Sequence, residues 1–466
     1  MVNDDISARE SGLVRALSVG QIGMIAIGGA IGTGLFLGSG YATSVAGPSV
    51  LLSFGIGALI SVFLIICLAE MTVAHPTAGS FGACAERYIG PGAGFLTRYA
   101  YWAATALAVG LEVSAIDAYL RYWLPNSPPG LWAGLCALAL VGVNAFNVKA
   151  FGLIEYLFSS IKVFAIVAFI LIATYVVFFT NTPGIGLFNY HSNDGFMPHG
   201  FSGTWNATLI AVFSYTSIEM IAVAAGEAKD PRRAIIVAFR GTMLRLVLFY
   251  MISIALMLAI IPWQQANTGG SPFVKVMEII SIPGAAGILN VIVVIAALSA
   301  MNSQLYATAR MMFSLSRAGQ APKAFSSLSK RGVPLYALMF SSIGGIMGVV
   351  FTVFWPKQAF IWLVAIVMFG LMFVWIMIFL THFYFRRSWK LSGQKLPFEI
   401  KGFPLVTLMG LLLMVALLIS TAFYDDFKLT LATGIPFVVC LSALYLFKYK
   451  KVCKGEVSAT SALPEA

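Results

Sequence analysis

The sequence predicts an all-α polytopic membrane protein, and three observations support that prediction. Apolar runs of about 20 residues, long enough to cross a hydrocarbon core of about 30 Å, recur along the whole chain. Only 10% of the 466 residues are charged, against about 25% in a soluble domain, and the mean hydropathy is +0.90. The 29 Lys and Arg residues are concentrated in every second connection between the apolar runs. The net charge of +11 therefore indicates membrane topology, and a nucleic-acid partner is improbable.

We count twelve transmembrane helices, and the basic residues between them predict their orientation. The spans cover approximately residues 20–41, 48–74, 93–123, 130–148, 155–179, 203–226, 240–262, 285–310, 334–355, 359–385, 403–424 and 429–447. With a cytoplasmic N-terminus, 25 of the 29 basic residues fall on the inner side, and four fall outside: Arg121, Lys275, Lys357 and Lys428. Both termini are thus expected in the cytoplasm, where the basic surface also suits anionic lipid.

The first span contains the glycine-rich stretch "GGAIGTGLF" (28–36). A glycine inside a helix costs about 1 kcal/mol relative to alanine. Gly28, Gly29, Gly32 and Gly34 do not share one helical face, because successive positions turn by about 100°, so close packing explains only part of the pattern. We therefore expect the helix to break here. The sixth span carries a polar run, "SYTSIE" (214–219), at a similar depth, and paired interruptions are typical of transporters built from inverted repeats.

Four ionisable residues lie within spans or at their ends, and each needs a partner or a function, because such a group costs at least ~2.5–3.5 kcal/mol near the bilayer centre. Glu70, at the end of span 2, suits an intracellular gate or a packing contact. Glu112 in span 3 either pairs with another span or lines the pocket and selects a positive group on the substrate. Lys162 in span 5 either extends to the inner interface or is a buried amine that takes and releases a proton in place of a coupling cation. Glu219 either bonds the backbone of a broken helix or a neighbouring span, or serves a gate or proton coupling, or contacts the substrate directly.

No arrangement of residues indicates an enzyme or a cofactor site. The four histidines and five cysteines lack ligand spacing, so no metal site is expected. No nucleophile accompanies a base, so we predict no catalytic residues and no cofactor. A channel would need a continuous polar pore, and the charges within the spans are too few and too scattered for one.

Five stretches, in this order and spacing, give the chain a resemblance to a known family. They are "IAIGGAIGTGLFLGSG" (25–40), "AGPSVLLSF" (46–54), "LAEMTVAHPTAGSF" (68–81), "FSYTSIEMIAVAAGEAKDPRRAI" (213–235) and "MNSQLYATARMMFSLSRAGQAP" (301–322). The chain resembles the amino acid permeases of the amino acid–polyamine–organocation superfamily, in their bacterial amino acid transporter branch, from about Leu17 to the last span.

The resemblance implies a five-plus-five inverted repeat with broken helices 1 and 6, followed by two extra helices. The expected segments are a cytoplasmic N-terminal segment (1–18), the first repeat with helices 1–5 (19–182), the second repeat with helices 6–10 (183–402), helices 11–12 (403–448) and a cytoplasmic tail (449–466). The family usually has glycine three residues after the first serine of the span 6 motif, where this chain has Ser217.

The resemblance also implies a substrate site between the two breaks. The α-carboxylate is expected on the backbone N–H groups of Gly32, Thr33 and Gly34, and the α-ammonium on carbonyl groups of Ile31 and of the Phe213–Thr216 stretch, which includes Ser214. A half-helix N-terminus suits a carboxylate because its N–H donors lack partners and it carries about half a positive charge.

The remaining expected roles are occlusion, proton coupling and selectivity. Phe213, with Tyr215 as a second candidate, is expected to act as the gate. Lys162 corresponds to the span 5 lysine of proton-coupled relatives, and with Glu219 it is the leading proton pair. Glu112 and Asn302 are the leading candidates for substrate selectivity.

The sequence therefore predicts a secondary transporter of the cytoplasmic membrane that imports an α-amino acid with a proton by alternating access. The alternative is an exchanger that trades one amino acid for another without a proton. The oligomeric state is left open.

Overall fold

The computed structural model describes residues 17–449 except 78, 147, 193, 268 and 269, and this part of the chain is overwhelmingly helical. Within it no strand occurs, and the one extended pairing is an isolated bridge between Leu17 and Ala228. The expected cytoplasmic segments 1–18 and 449–466 lie almost wholly outside the described residues.

Seventeen α-helices lie within the described residues and are numbered in chain order. They are α1 (Val19–Ala30), α2 (Ser39–Ala46), α3 (Val50–Ala74), α4 (Ser80–Tyr88), α5 (Pro91–Leu120), α6 (Leu131–Phe146), α7 (Val148–Phe179), α8 (Gly200–Tyr215), α9 (Met220–Ala224), α10 (Pro231–Ile260), α11 (Pro272–Ile280), α12 (Ala285–Arg317), α13 (Leu335–Ser341), α14 (Ile343–Phe354), α15 (Ala359–Ser392), α16 (Leu405–Ser420) and α17 (Lys428–Leu444). Short 3₁₀ or π turns extend several of these ends, including the π turn Gly34–Gly38 that precedes α2.

Ten helical stretches in the described residues are long and apolar enough to cross a membrane. The first, Val19–Ala74, covers 56 residues and includes both of the first two predicted spans. The segment predicted as span 4 forms α6, a shorter apolar helix. The prediction of an all-α polytopic membrane protein is thus confirmed.

Several helices are longer than the predicted spans. The helix α7 begins at Val148 and α10 at Pro231, before the expected residues 155 and 240, and α15 continues to Ser392. The start of α10 is fixed locally, because Asp230 caps it by accepting a hydrogen bond from the N–H of Arg233 and proline occupies its first position. Hydropathy marks where a helix leaves the hydrocarbon layer, whereas the backbone hydrogen bonds continue into polar surroundings.

The packing brings the two interrupted helices together in the interior. The helix α5 packs mainly against α12, α14 and α15, while α1 packs against α7 and α10. The segment α2 contacts α8, and α1 contacts α9, so each half of one interrupted helix lies beside the opposite half of the other. Backbone groups released at both interruptions therefore meet in one region.

Candidate functional site

The first interruption separates α1 from the π turn that leads into α2. Ser18 starts α1 with a capping box, in which its hydroxyl accepts from the N–H of Gln21 and the Gln21 side chain accepts from the N–H of Ser18. Regular helix ends at Ala30, and Ile31 leaves it with φ −79° and ψ 86°. The N–H of Gly32 turns back to the carbonyl of Ala30 at 3.0 Å. The break expected from the glycine run is therefore present.

The second interruption lies between α8 and α9. After Tyr215 the backbone of Thr216 is extended, with ψ 168°, and Ser217 has φ +74°. Both the N–H and the hydroxyl of Thr216 donate to the carbonyl of Phe213, at 3.1 and 2.6 Å. The left-handed conformation favours glycine and costs another residue about 1–2 kcal/mol, yet the chain unwinds here with a serine in that position.

One tyrosine hydroxyl joins the two interruptions. Tyr250 of α10 is fully buried, and its hydroxyl lies 2.6 Å from the carbonyl oxygen of Ala30 and 2.9 Å from that of Ser214. Its single hydrogen is shared between two carbonyl groups near the ends of α1 and α8. The hydroxyl thus holds the end of α1 close to the end of α8.

A cavity lies between the interrupted helices, α5 and α12. Its lining includes eight of the predicted site residues: Gly32, Thr33, Gly34, Glu112, Phe213, Ser214, Thr216 and Glu219. Residues from five separate parts of the sequence, around positions 30, 110, 215, 304 and 371, therefore meet at one place.

Glu112 is oriented by neighbours on both sides. Its Oε1 accepts hydrogen bonds from the hydroxyl of Thr33 at 3.2 Å and from the amide of Gln304 at 3.4 Å. Its Oε2 is buried and has no hydrogen-bond partner, and the same is true of the Gln304 amide oxygen. Two buried acceptors that border the cavity thus lack donors, and such groups carry a free-energy penalty until one is supplied.

Glu219 reaches across the second interruption. Its Oε1 accepts from the N–H of Ser217 at 3.2 Å, and its Oε2 accepts from the indole of Trp375 in α15, also at 3.2 Å. The carboxyl therefore accepts from one N–H group released by the break and joins this segment to α15.

Lys162 is fully buried, so its amine lies inside the protein and not at a membrane interface. Its Nζ donates to the carbonyl oxygens of Gly28 at 2.5 Å and Ile31 at 3.0 Å, and to the hydroxyl of Ser299 at 2.8 Å. The amine therefore satisfies carbonyl groups that the break in the first helix releases.

Four of the predicted residues do not line the cavity. Ile31 is fully buried, and its carbonyl accepts from Lys162, which itself lies behind the break. Asn302 donates to Glu155 at 2.9 Å and accepts from Asn144 at 2.8 Å. The Tyr215 ring is buried near the rings of Phe54 and Tyr250.

Sequence reasoning missed Gln304, Tyr101, Trp375 and Glu155 as members of this region. Glu155 carried a usable signal, because it lies seven residues before Lys162 and thus two turns away on the same helical face. Gln304 and Trp375 carried none, since an amide or an indole within an apolar run has many possible partners.

Glu70 lies away from the cavity, at the end of α3. Its Oε2 lies 3.0 Å from His382 Nε2 and 3.6 Å from Arg386 Nε, and its Oε1 accepts from the N–H of Ile400 at 2.7 Å. The carboxylate thus joins α3 to the end of α15 and to the loop that follows. In the described part of the chain no three His, Cys, Asp or Glu side chains are placed to hold a metal ion.

Comparisons with known proteins agree on one family. The family model for amino acid permeases matches residues 21–452. A probable threonine/serine transporter of Bacillus subtilis is 34% identical over 97% of this chain and 99% of its own length. The gamma-aminobutyric acid permease of the same organism is 35% identical over 95% of both chains. The aromatic amino acid transport protein AroP of Escherichia coli K12 is 35% identical over 94% of this chain and 96% of its own length.

Proposed function

Because the chain belongs to the amino acid permease family, and is therefore an integral membrane transporter and not an enzyme, we propose that it imports an α-amino acid in symport with a proton by alternating access. The single observation that carries the proposal is the cavity between two interrupted helices, with a buried lysine amine behind one of them. The runner-up is an exchanger that trades amino acids without a proton.

The substrate α-carboxylate is proposed to bind at the start of the second segment of helix 1. Thr33 and Gly34 begin this segment, so no earlier turn of the same helix accepts from their N–H groups, and the helix end favours negative charge. Gly32 contributes mainly by its missing side chain, because its N–H already donates to Ala30.

The substrate α-ammonium is proposed to bind carbonyl groups on the other side of the cavity. Phe213 and Ser214 both line it. The Ser214 carbonyl oxygen accepts from Tyr250, but a carbonyl oxygen has two lone pairs and can accept a second hydrogen bond, whereas the Phe213 carbonyl already accepts two from Thr216. Phe213 borders this position and is the proposed gate, with Tyr215 behind it as support.

Selectivity is proposed to rest on Glu112 and Gln304. Their two acceptors without donors suit a substrate side chain that brings N–H or O–H groups, because a buried acceptor left without a donor costs about 1–3 kcal/mol. Asn302 does not line the cavity, so it is not proposed to contact the substrate.

Proton coupling is proposed to involve Lys162 and Glu219. Lys162 bonds backbone carbonyls of the broken helix as a bound cation would, and loss of its proton leaves two of its three N–H donors. Glu219 bonds the backbone of the second interruption, so a change in its charge would alter the geometry of that interruption.

The fold is proposed to follow the family pattern of twelve membrane helices. Helices 1–5 (19–182) and 6–10 (183–402) would form two inverted repeats, with helices 11–12 (403–448) added. The division of basic residues supports cytoplasmic termini in a cytoplasmic membrane, since an excess of Lys and Arg marks the inner side.

The test uses purified protein. A thermal-shift screen against the standard amino acids identifies the substrate, because a ligand stabilises the folded state by RT ln(1 + [L]/Kd). Uptake of that amino acid into proteoliposomes is then measured under three separate conditions: with a proton gradient, with a sodium gradient, and with amino acid loaded inside. We expect accumulation under the proton gradient. Uptake that depends only on internal amino acid would favour the exchanger.

A further inference from the structure

Glu155 is a buried carboxyl that the mechanism proposed above does not use. It lies in α7, is fully buried, and precedes Lys162 by two turns on the same face. Both of its oxygens are engaged: the Ser299 hydroxyl donates to Oε1, and the Asn302 amide donates to Oε2 at 2.9 Å.

Gly28 makes room for this carboxyl against the end of α1. A Cβ atom at Gly28 would overlap Glu155 Oε1 and the Ser159 hydroxyl. The carbonyl of Gly28 in turn accepts from Lys162 Nζ at 2.5 Å. The carboxyl and the amine therefore meet the same residue of the broken helix.

The Ser299 hydroxyl connects the two ionisable groups. Lys162 Nζ has three acceptors, namely the carbonyls of Gly28 and Ile31 and the oxygen of Ser299, which matches the three hydrogens of an ammonium. The hydroxyl hydrogen of Ser299 is directed at Glu155 Oε1. The result is a continuous chain of hydrogen bonds from Lys162 Nζ through Ser299 Oγ to Glu155 Oε1.

We propose that Lys162 and Glu155 hold the coupling proton jointly, with the Ser299 hydroxyl as the relay between them. This inference rests on the proton symport proposed above. In the relay step an Nζ–H bond breaks as an Oγ–H bond forms, and Ser299 passes its own hydroxyl proton to Glu155 Oε1. The products are a neutral amine and a neutral carboxylic acid, so charge and atoms balance without a further reactant.

The hydrogen bonds remain complete after the step. The neutral amine keeps two hydrogens for the carbonyls of Gly28 and Ile31 and accepts from Ser299, while Glu155 now donates to Ser299. A neutral pair also avoids the desolvation cost of two buried charges, so the two arrangements can be close in free energy.

The surroundings indicate where the proton enters and leaves. The charged neighbours of the pair, in the described part of the chain, are each other and Glu112, which acts on Lys162 from α5. Beyond Glu155 lie the neutral amides of Asn302 and Asn144, and the Ser159 hydroxyl, which lies 3.4 Å from Oε1 and donates to the carbonyl of Met24 at 2.9 Å. Neither an amide nor a backbone carbonyl readily carries a proton onward, so Glu155 is the closed end of the chain, and Lys162 is the end nearer Glu112, which lines the cavity.

The experiment compares two transport modes of the full chain in proteoliposomes, using the amino acid found in the thermal-shift screen. One mode is accumulation driven by a proton gradient over a range of external pH, and the other is exchange of internal for external substrate at equal pH. The variants are Ser299→Ala, Ser299→Thr and Glu155→Gln. The control is Ser253→Ala, which removes a buried membrane-helix hydroxyl that bonds only its own helix.

We expect Ser299→Ala and Glu155→Gln to lower proton-driven accumulation by at least about tenfold and to flatten its pH profile, while exchange stays within about twofold. Ser299→Thr keeps a hydroxyl and should retain the wild-type pH profile. Equal loss of both modes in Ser299→Ala and Ser299→Thr would overturn the relay in favour of a packing role.

Different results would refute the relay and proton symport. Wild-type accumulation in Ser299→Ala would overturn the relay and leave proton symport intact. A wild-type protein that exchanges but never accumulates under a proton gradient would overturn proton symport, and the relay with it.

Discussion

Gly34→Ala tests whether the two interrupted helices depend on direct backbone contact. A Cβ atom at Gly34 would lie 2.7 Å from the Cα and 3.1 Å from the Cβ of Ser214. Carbon atoms in contact are ordinarily about 3.5–4.0 Å apart, so one segment must move by about 1 Å. The Ser214 segment cannot move freely, because Tyr250 holds the end of α8 to the end of α1.

The expected loss follows from this displacement. Overpacking of a tight contact costs about 1–3 kcal/mol. The proposed site takes N–H donors from one segment and carbonyl acceptors from the other, so most of that cost should appear in substrate binding. Since each 1.4 kcal/mol is tenfold, we expect Kd to rise by about ten- to hundredfold.

The assay is the substrate-dependent rise in the unfolding temperature, with uptake in proteoliposomes as a second measurement. The matched control is Gly23→Ala in α1, where nothing lies within 4 Å of the added Cβ. There the better helix propensity of alanine, up to about 1 kcal/mol, should leave binding unchanged. If Gly34→Ala binds substrate within about twofold of wild type, the contact between the two segments is not part of the site.

Three further predictions address coupling, selectivity and pH. Lys162→Ala should abolish proton-driven accumulation and keep exchange, and unchanged accumulation would rule out its coupling role. Glu112→Gln should alter the ranking of amino acids in the thermal-shift screen, whereas a change in expression alone would indicate a structural role. Partial burial and the nearby Arg87 lower the pKa of His75, outside the spans, from 6.5 to about 4. The unfolded state therefore gains a proton first, so stability should fall as pH drops from about 7 to about 5, and His75→Gln should reduce this fall more than the surface control His191→Gln does.

Hydropathy and the glycine run were enough to predict the membrane helices and the first break. The helix ends were less predictable, and this hid Glu155: the predicted span began at residue 155, whereas α7 begins at Val148 and places the carboxyl two turns inside the helix. Asn302 was expected near the substrate from the resemblance to the permeases. The rotation of α12, which packing sets, directs Asn302 to Glu155 and Asn144 instead.

The break at Ser217 marks a different limit of sequence reasoning. Glycine is the residue expected at a positive φ, and this chain has serine where the family usually has glycine. The chain unwinds nonetheless, because Glu219 and Thr216 supply hydrogen bonds to the released backbone. Each net bond contributes about 0.5–1.5 kcal/mol, which is enough to offset a left-handed serine.

The glycine run also shows that close packing and helix breaking are not alternatives. Added Cβ atoms would meet Glu155 of α7 at Gly28, the residue Ser217 at Gly29, α12 at Gly32 and α8 at Gly34. Four neighbours thus approach the broken helix from different sides, which one helical face could not accommodate. A substrate as small as an amino acid needs donors and acceptors from several backbone segments within a few ångströms. The same glycines that weaken the helix allow those segments to come that close.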